Sequence, residues 1–318
     1  MAHSRLFRFG VFAESVRSRE TLLDTARRAE DGGFSTFLIR DHFISEPFGH
    51  QLAPLATLAT VATVTRRLRI GSLVLSNDYR HPVLLAKEAA TLDVLSEGRL
   101  ELGLGAGFSR PEYEQAGIAF DAAEVRTERL EEALHVLRGL FTGQPFTFAG
   151  KHYAVSGLQS FPTPLQRPHP PFLVGGAGSR VLSIAARAAN IIGVQTVSTA
   201  MGTVSQVPRL RMADTVRAKI DLVRVAGERF SKIELSTVVL IVVTDHRRST
   251  AEQFARDRGW SGISAEQVLD MPSVFIGSVD TIVEEMHARR EDYGFSYFIV
   301  FDHAMQDIVP VLTRLAGR

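Results

Sequence analysis

Apolar residues in this chain come in short runs separated by amphipathic segments. Eight runs read as strands: 7–13, 36–40, 68–75, 100–105, 171–175, 191–196, 233–243 and 297–301. Most are almost continuously apolar, the pattern of a strand covered on both faces. The segments between them carry helical spacing. Leu22, Ala26, Ala29 and Gly33 fall on one face; Leu130, Leu134, Leu137 and Phe141 fall on another, with Arg126, Arg129, Glu131 and Glu132 mainly on the exposed side. Gly32-Gly33 closes the first helix and Gly98 the third. Strand alternating with helix predicts parallel strands in βαβ units. Eight such units in 318 residues predict an α/β fold, a (β/α)8 TIM barrel with insertions, as a single domain over residues 1–318. The rival is an open doubly wound sheet. Against it, "FAESVRSRE" follows the first strand where a GxGxxG phosphate turn would stand.

Three stretches break the repeat. Residues 143–171, with "PFTFAGKHYAV" and a proline-rich connector, predict a small β-hairpin and a rigid crossing segment. Residues 197–207, "VSTAMGTVSQV", suit a mobile loop after the sixth strand. Residues 257–277, which carry Trp260, read as short helical pieces between the seventh and eighth strands. Long insertions after strands are where barrels keep lids.

Composition narrows the function classes. The chain is 45% hydrophobic and 22% charged, enough to bury a large core. A net charge of +1 gives no electrostatic footprint for nucleic acid. The absence of cysteine excludes disulfides, thiolate metal sites and cysteine nucleophiles. No apolar run approaches the roughly 18 residues needed to span a bilayer, and no signal-peptide core follows Met1–Arg8. A cytoplasmic enzyme or binding protein, with no nucleic-acid or membrane partner, is the expectation.

In a barrel the chemistry lies at the C-terminal strand ends. There the sequence places Asp41-His42, then Ser76, Asn77, Arg80 and His81, then "GLGAGFSRPEY", "VGGAGSR", Gln195-Thr196 and Asp302-His303. "GGAGSR", residues 175–180, stands between a strand and an amphipathic helix. Its glycines admit close backbone approach, and the helix N-terminus offers free N–H donors, an arrangement suited to phosphate. A plain tight turn would read the same. "LGLGAG", residues 102–107, offers either a floor for a planar ring or close packing at the rim. His42 could accept a proton, hydrogen-bond a carbonyl or bind a metal; Asp41 could hold a backbone group or a cofactor hydroxyl. Asp302 reads as a helix cap or salt-bridge partner, and His81-Pro82 as a helix start. Phe12, Phe43 and Phe108 stand where rings would wall a cavity or pack the rim.

The stretches "GFSTFLIRDHF", "RIGSLVLSNDYRHPVLLAKEAATLDVLSEGRLELGLGAG" and "VGGAGSRVLSIAARAAN" resemble the bacterial luciferase-like superfamily. The nearest branch is the actinobacterial oxidoreductases that use the deazaflavin coenzyme F420. The resemblance runs from Phe9 to about Val197 and resumes weakly over residues 275–301. It implies a TIM barrel with a flavin-type cofactor at its C-terminal face, and a homodimer. It implies that Asp41 and His42 face the cofactor ring and substrate, and that Leu73-Val74 is a non-prolyl cis bond behind the ring. It also implies that Gly175, Gly176, Ala177 and Gly178, with Thr196 near, hold the phosphate, and that Gly105, Ala106 and Gly107 lie at the ring edge. In the sugar-phosphate dehydrogenase branch an acidic residue stands where this chain has Phe108, and a tryptophan is replaced around Glu46-Pro47. Phe108 and Phe43 therefore imply a more apolar substrate than glucose 6-phosphate.

The expected function is F420-dependent hydride transfer to or from a small apolar organic substrate, with His42 as the catalytic proton donor or acceptor and no metal. The alternatives are an FMN-dependent monooxygenase on the same barrel, and a metal-dependent hydrolase or aldolase using Asp41, His42, His81 and Asp302. A non-catalytic binder of a phosphate-bearing ligand is the third.

Overall fold

The computed structural model describes residues 5–197 and 207–318. The predicted loop at 197–207 thus falls almost entirely outside the described residues. Twelve strands appear in chain order: β1 (Arg8–Phe12), β2 (Thr36–Ile39), β3 (Arg69–Ser72), β4 (Leu75–Ser76), β5 (Leu100–Gly105), β6 (Phe146–Ala149), β7 (Ala154–Leu158), β8 (Phe172–Gly176), β9 (Ile191–Val194), β10 (Glu234–Val243), β11 (Val274–Gly277) and β12 (Phe295–Phe301). Eight of them close into a parallel ring in the order β1, β2, β3, β5, β8, β9, β10, β12. Helices flank the ring, so the fold is a (β/α)8 barrel. All eight predicted strands are present.

The near-continuous apolar runs follow from burial on both faces. Along β1, Phe9 and Val11 point into the layer under the helices, while Phe12 joins Leu38, Leu173, Ile191, Tyr297 and Ile299 inside the ring. Helix Arg19–Asp31 buries Leu22, Leu23, Ala26 and Ala29 and is capped by the Ser18 hydroxyl, which accepts from the Thr21 N–H. Helix Pro82–Leu95 starts at the predicted proline, with His81 Nδ1 accepting from the Val83 N–H. Helix Ala123–Phe141 buries Leu130, Leu134, Leu137 and Phe141. It also buries Arg126, which the spacing had placed outside; its guanidinium lies over the Phe120 ring.

Two details depart from the pattern. The predicted strand 68–75 is broken at Leu73-Val74, a cis non-prolyl peptide, and resumes as β4 against β5. Close approach here demands glycine: a Cβ at Gly103 would stand 1.8 Å from the Ser72 carbonyl oxygen. The segment 257–277 ends in a ninth parallel partner, β11, hydrogen-bonded to Leu240–Val243 outside the ring. Its four residues, Val-Phe-Ile-Gly, are too few to show a period; the strand forms because β10 runs past the ring and offers a free edge. The predicted hairpin is β6–β7.

The N-terminal end of the barrel is filled by charge. Arg8 Nη1 donates to Glu101 Oε1 at 2.6 Å, Arg69 Nε donates to the same oxygen at 2.8 Å, and Arg8 also pairs with Glu234 at 2.7 Å. Burial pushes the Glu101 carboxyl up, but the charges of Arg8 and Arg69 outweigh it and hold it below the usual carboxylate range. A depressed carboxyl stabilises the fold above its unfolded pKa of about 4.3, and that contribution fades as pH falls through the lower folded value. Glu101→Gln should therefore cost about 3–5 kcal/mol at pH 7 by urea unfolding. The gap to wild type should narrow below about pH 4.

Candidate active site

β2 ends at Ile39, and the chain turns up over the rim through Arg40, Asp41 and His42. Asp41 is buried and held on both oxygens. Arg80 Nη1 donates to Oδ2 at 2.6 Å and Nη2 to Oδ1 at 3.1 Å, while the Ser76 N–H reaches Oδ2 at 3.1 Å. Asp41 thus locks the segment after the cis bond to the rim of β2.

His42 is held by a residue the sequence reading missed. Glu112, fully buried on helix Arg110–Ala116, lies 2.8 Å from His42 Nδ1 through Oε2, which also accepts from the Tyr79 hydroxyl at 3.3 Å. Its Oε1 accepts the N–H groups of Phe43 at 2.6 Å and Ile44 at 3.3 Å. Burial pushes the Glu112 carboxyl up, yet the bond and charge of His42 and the two backbone N–H groups hold it below the ordinary value. A carboxylate only accepts, so Nδ1 carries a proton, and in the neutral imidazole it is Nε2 that bears the lone pair. The imidazole stacks on Phe48, with centroids 3.8 Å apart, and meets Phe108 edge-on at 5.8 Å.

Two adjoining cavities open at this rim. The first, about 470 Å³, is lined by Asp41, Val74, Gly105, Ala106 and Gly107 on one side and by Gly176, Ala177 and Gly178 on the other. The second, about 330 Å³, is lined by Phe12, Phe48, Thr196 and Phe301 among others. His42, Leu73, Phe108, Gly175, Gln195 and Val197 line both and so form the partition. Thr196 lines the second cavity together with Gly175 of the glycine turn, and its hydroxyl accepts from Arg211 Nη1 at 2.8 Å. Phe43 lines neither. The grip of Glu112 on its backbone turns its side chain outward, 56% exposed against the Tyr79 ring. Asp302 and His303 also lie outside both cavities: Asp302 Oδ1 accepts the His303 N–H at 2.9 Å, and His303 faces Glu14 at 3.8 Å.

The glycine turn leads from β8 into helix Ser179–Ala188, whose N-cap, Gly178, makes no side-chain cap bond. A Cβ added at Gly178 would meet nothing within 4 Å, so the helix N-terminus is open to the cavity. Two cations that the sequence reading did not place at the site line the same cavity, Arg126 and Lys219. Lys219 Nζ donates to the Gln195 carbonyl at 2.6 Å; burial, then the charge of Arg211, pulls its pKa below the ordinary value. Among the described residues, no group of three or more His, Asp or Glu is placed to hold a metal ion.

The profile of the luciferase-like monooxygenase family matches residues 6–270. The chain belongs to that family. An F420-dependent glucose-6-phosphate dehydrogenase of Nakamurella multipartita is 31% identical over 256 residues, covering 78% of this chain and 71% of the relative. The chain spans only 53–56% of the length of three further relatives of the same description. The monooxygenase RslO1 of Streptomyces bottropensis shares the fold with a TM-score of 0.74 at 22% identity, over 96% of this chain and 99% of its own. An F420-dependent secondary alcohol dehydrogenase in complex with an F420-acetone adduct gives a TM-score of 0.75 at 17% identity, over 98% of each chain. This luciferase-like protein is thus an oxidoreductase, and no helix among its described residues is long and apolar enough to cross a membrane.

Glu112 satisfies four groups at once. Glu112→Ala in this luciferase-like enzyme should lower stability by about 1–3 kcal/mol through buried donors left unpaired. Glu112→Gln, which keeps the shape, should lose less. Chemical unfolding of the two variants measures the difference.

Proposed function

We propose that the protein is an F420-dependent oxidoreductase acting on a small organic alcohol or carbonyl compound, with His42 moving the proton. The observation that carries this reading is His42 itself. It stands in the partition between two cavities, and its Nδ1 is fixed on the buried carboxylate of Glu112.

The first cavity fits a planar cofactor with a phosphate tail. Its volume lies within the usual range for cofactor sites, about 300–1,000 Å³. Its walls are cleared by missing side chains: a Cβ at Gly105 would stand 2.7 Å from Val74 Cγ2, and one at Gly175 would stand 3.3 Å from Val74 Cγ1. The open N-terminus of helix Ser179–Ala188, with Lys219 and Arg126 near, suits an anionic tail. Gly105, Ala106, Gly107, Leu73 and Val74 would border the ring; Gly175, Gly176, Ala177 and Gly178 would hold the phosphate. When bound, F420 supplies the two-electron carrier for hydride exchange.

The chain's own groups do the rest. Nε2 of His42 accepts the hydroxyl proton when an alcohol is oxidised and returns it when a carbonyl is reduced. Glu112 stabilises the imidazolium formed. Phe12, Phe48, Phe108 and Phe301 exclude water from the second cavity, which suits a substrate with an apolar body. The relatives named as F420-dependent support the deazaflavin over FMN, and the departure at Phe108 argues against glucose 6-phosphate.

Fluorescence titration of the purified protein should show binding of F420 in preference to FMN. Reduction of F420 by a panel of small secondary alcohols should fall about 10²–10⁴-fold in His42→Ala, with F420 affinity retained. Binding of FMN alone, with oxygen uptake when it is reduced, would instead establish the monooxygenase. Gly178→Asp separates fold from ligand. An N-cap aspartate should stabilise the protein only slightly over glycine, by about 0.2–0.5 kcal/mol, by accepting the helix N–H groups. The same substitution should weaken F420 at least about tenfold by placing a carboxylate where the phosphate binds.

A further inference from the structure

Among the described residues, one charge in the second cavity has no counter-charge. Arg211 closes the short helical turn Pro208–Arg211 and lines this cavity but not the first. It is 5% exposed. Nη1 donates to the Thr196 hydroxyl at 2.8 Å and to the Ser273 hydroxyl at 3.3 Å, both neutral. Its Nε is buried and has no hydrogen-bond partner among the described residues. No described carboxylate forms an ion pair with it, and residues 198–206, "STAMGTVSQ", contain no Asp or Glu. The charges that bear on it are cationic. Burial, then the nearby Arg258, pulls its pKa down to about 10, so it stays protonated at neutral pH. The other arginine of the cavity differs: Arg40 faces Glu14 at 3.6 Å and donates to the Phe48 carbonyl at 3.2 Å.

A buried guanidinium held only by hydroxyls is costly unless something pays the desolvation back. Guanidinium presents a planar fork matched to two oxygens of a carboxylate or phosphate. We propose that Arg211, with the Thr196 and Ser273 hydroxyls beside it, binds an oxyanion carried by the substrate, so that the enzyme takes a small organic anion whose apolar body packs against Phe12, Phe48 and Phe108. The inference rests on reading the second cavity as the substrate site. Gly176, Ala177 and Gly178 of the glycine turn line only the first cavity and Arg211 only the second, so the cofactor phosphate and this oxyanion would have separate receptors.

Trp260, the sole tryptophan of the chain, reports on this site: the Arg211 guanidinium carbon lies 6.0 Å from its ring centroid. Benzoate, phenyl phosphate and the neutral benzamide are titrated into the whole protein, following Trp260 fluorescence and heat of binding in low-chloride buffer. Wild type should bind one or both anions at least about tenfold more tightly than benzamide, and the tighter of the two identifies carboxylate or phosphate as the group. Arg211→Gln should bring that ratio close to one, and Arg211→Lys should keep part of it. Equal affinities for anions and benzamide in wild type would overturn the proposal without any variant. So would an unchanged ratio in folded Arg211→Gln. F420 titrated into the same samples separates the two readings. Arg211→Gln should leave F420 affinity within about twofold; a tenfold loss of F420 with benzoate unaffected would assign Arg211 to the cofactor and overturn the proposal. Failure of wild type to bind F420, with the preference for anions intact, would remove the deazaflavin reading and leave the oxyanion site standing.

Discussion

The parallel ladder between β1 and β12 closes the barrel, and the geometry of the rim depends on it. Arg8 pairs with Tyr297 and Phe12 with Phe301, joining segments at opposite ends of the chain. Closure leaves the ring without an edge and gives the inward side chains a dry interior. Tyr297 fills that interior because Gly10 opposes it: a Cβ there would meet the Tyr297 hydroxyl at 2.9 Å. Since every strand of the ring runs the same way, all the loops that follow strands gather at one mouth. That is why His42, Glu112, the turn at Gly175–Gly176 and Arg211 converge on adjoining cavities.

The two ends of the barrel treat buried charge in opposite ways. At the closed end Glu101 is surrounded by Arg8 and Arg69, with the Tyr297 hydroxyl at 3.4 Å, so its charge is neutralised by the protein itself. At the open end compensation is incomplete. Lys219 rests on a backbone carbonyl and Arg211 on two hydroxyls. Burial of a cation without an acid is unfavourable, and such sites are concentrated where a ligand supplies the missing charge. The asymmetry separates a structural network from a receptive one using the same residue types.

The rim above β2 is built by a division of labour between adjacent residues. Asp41 is consumed by Arg80 and the Ser76 N–H, and so positions the chain around the cis bond. His42 is turned the other way by Glu112. Phe108 meets the imidazole edge-on, with centroids 5.8 Å apart. The carboxylate that meets His42 comes from Glu112, four residues on, at 2.8 Å.

The sequence by itself determined the eight strands of the ring, the helix begun by Pro82, the β6–β7 hairpin and the glycine turn. Each is written in local terms: a run buried on both faces has no polar positions, proline sets a helix start, and glycine permits close approach. Only the tertiary structure decided the outward course of Phe43, the burial of Arg126, the extra strand β11 and the partnership of His42 with Glu112, which are 70 residues apart. Periodicity reports which side of its own element a residue occupies. It does not report which distant charge a side chain meets, or fails to meet, and that balance of charge is what distinguishes Arg211 from Arg8.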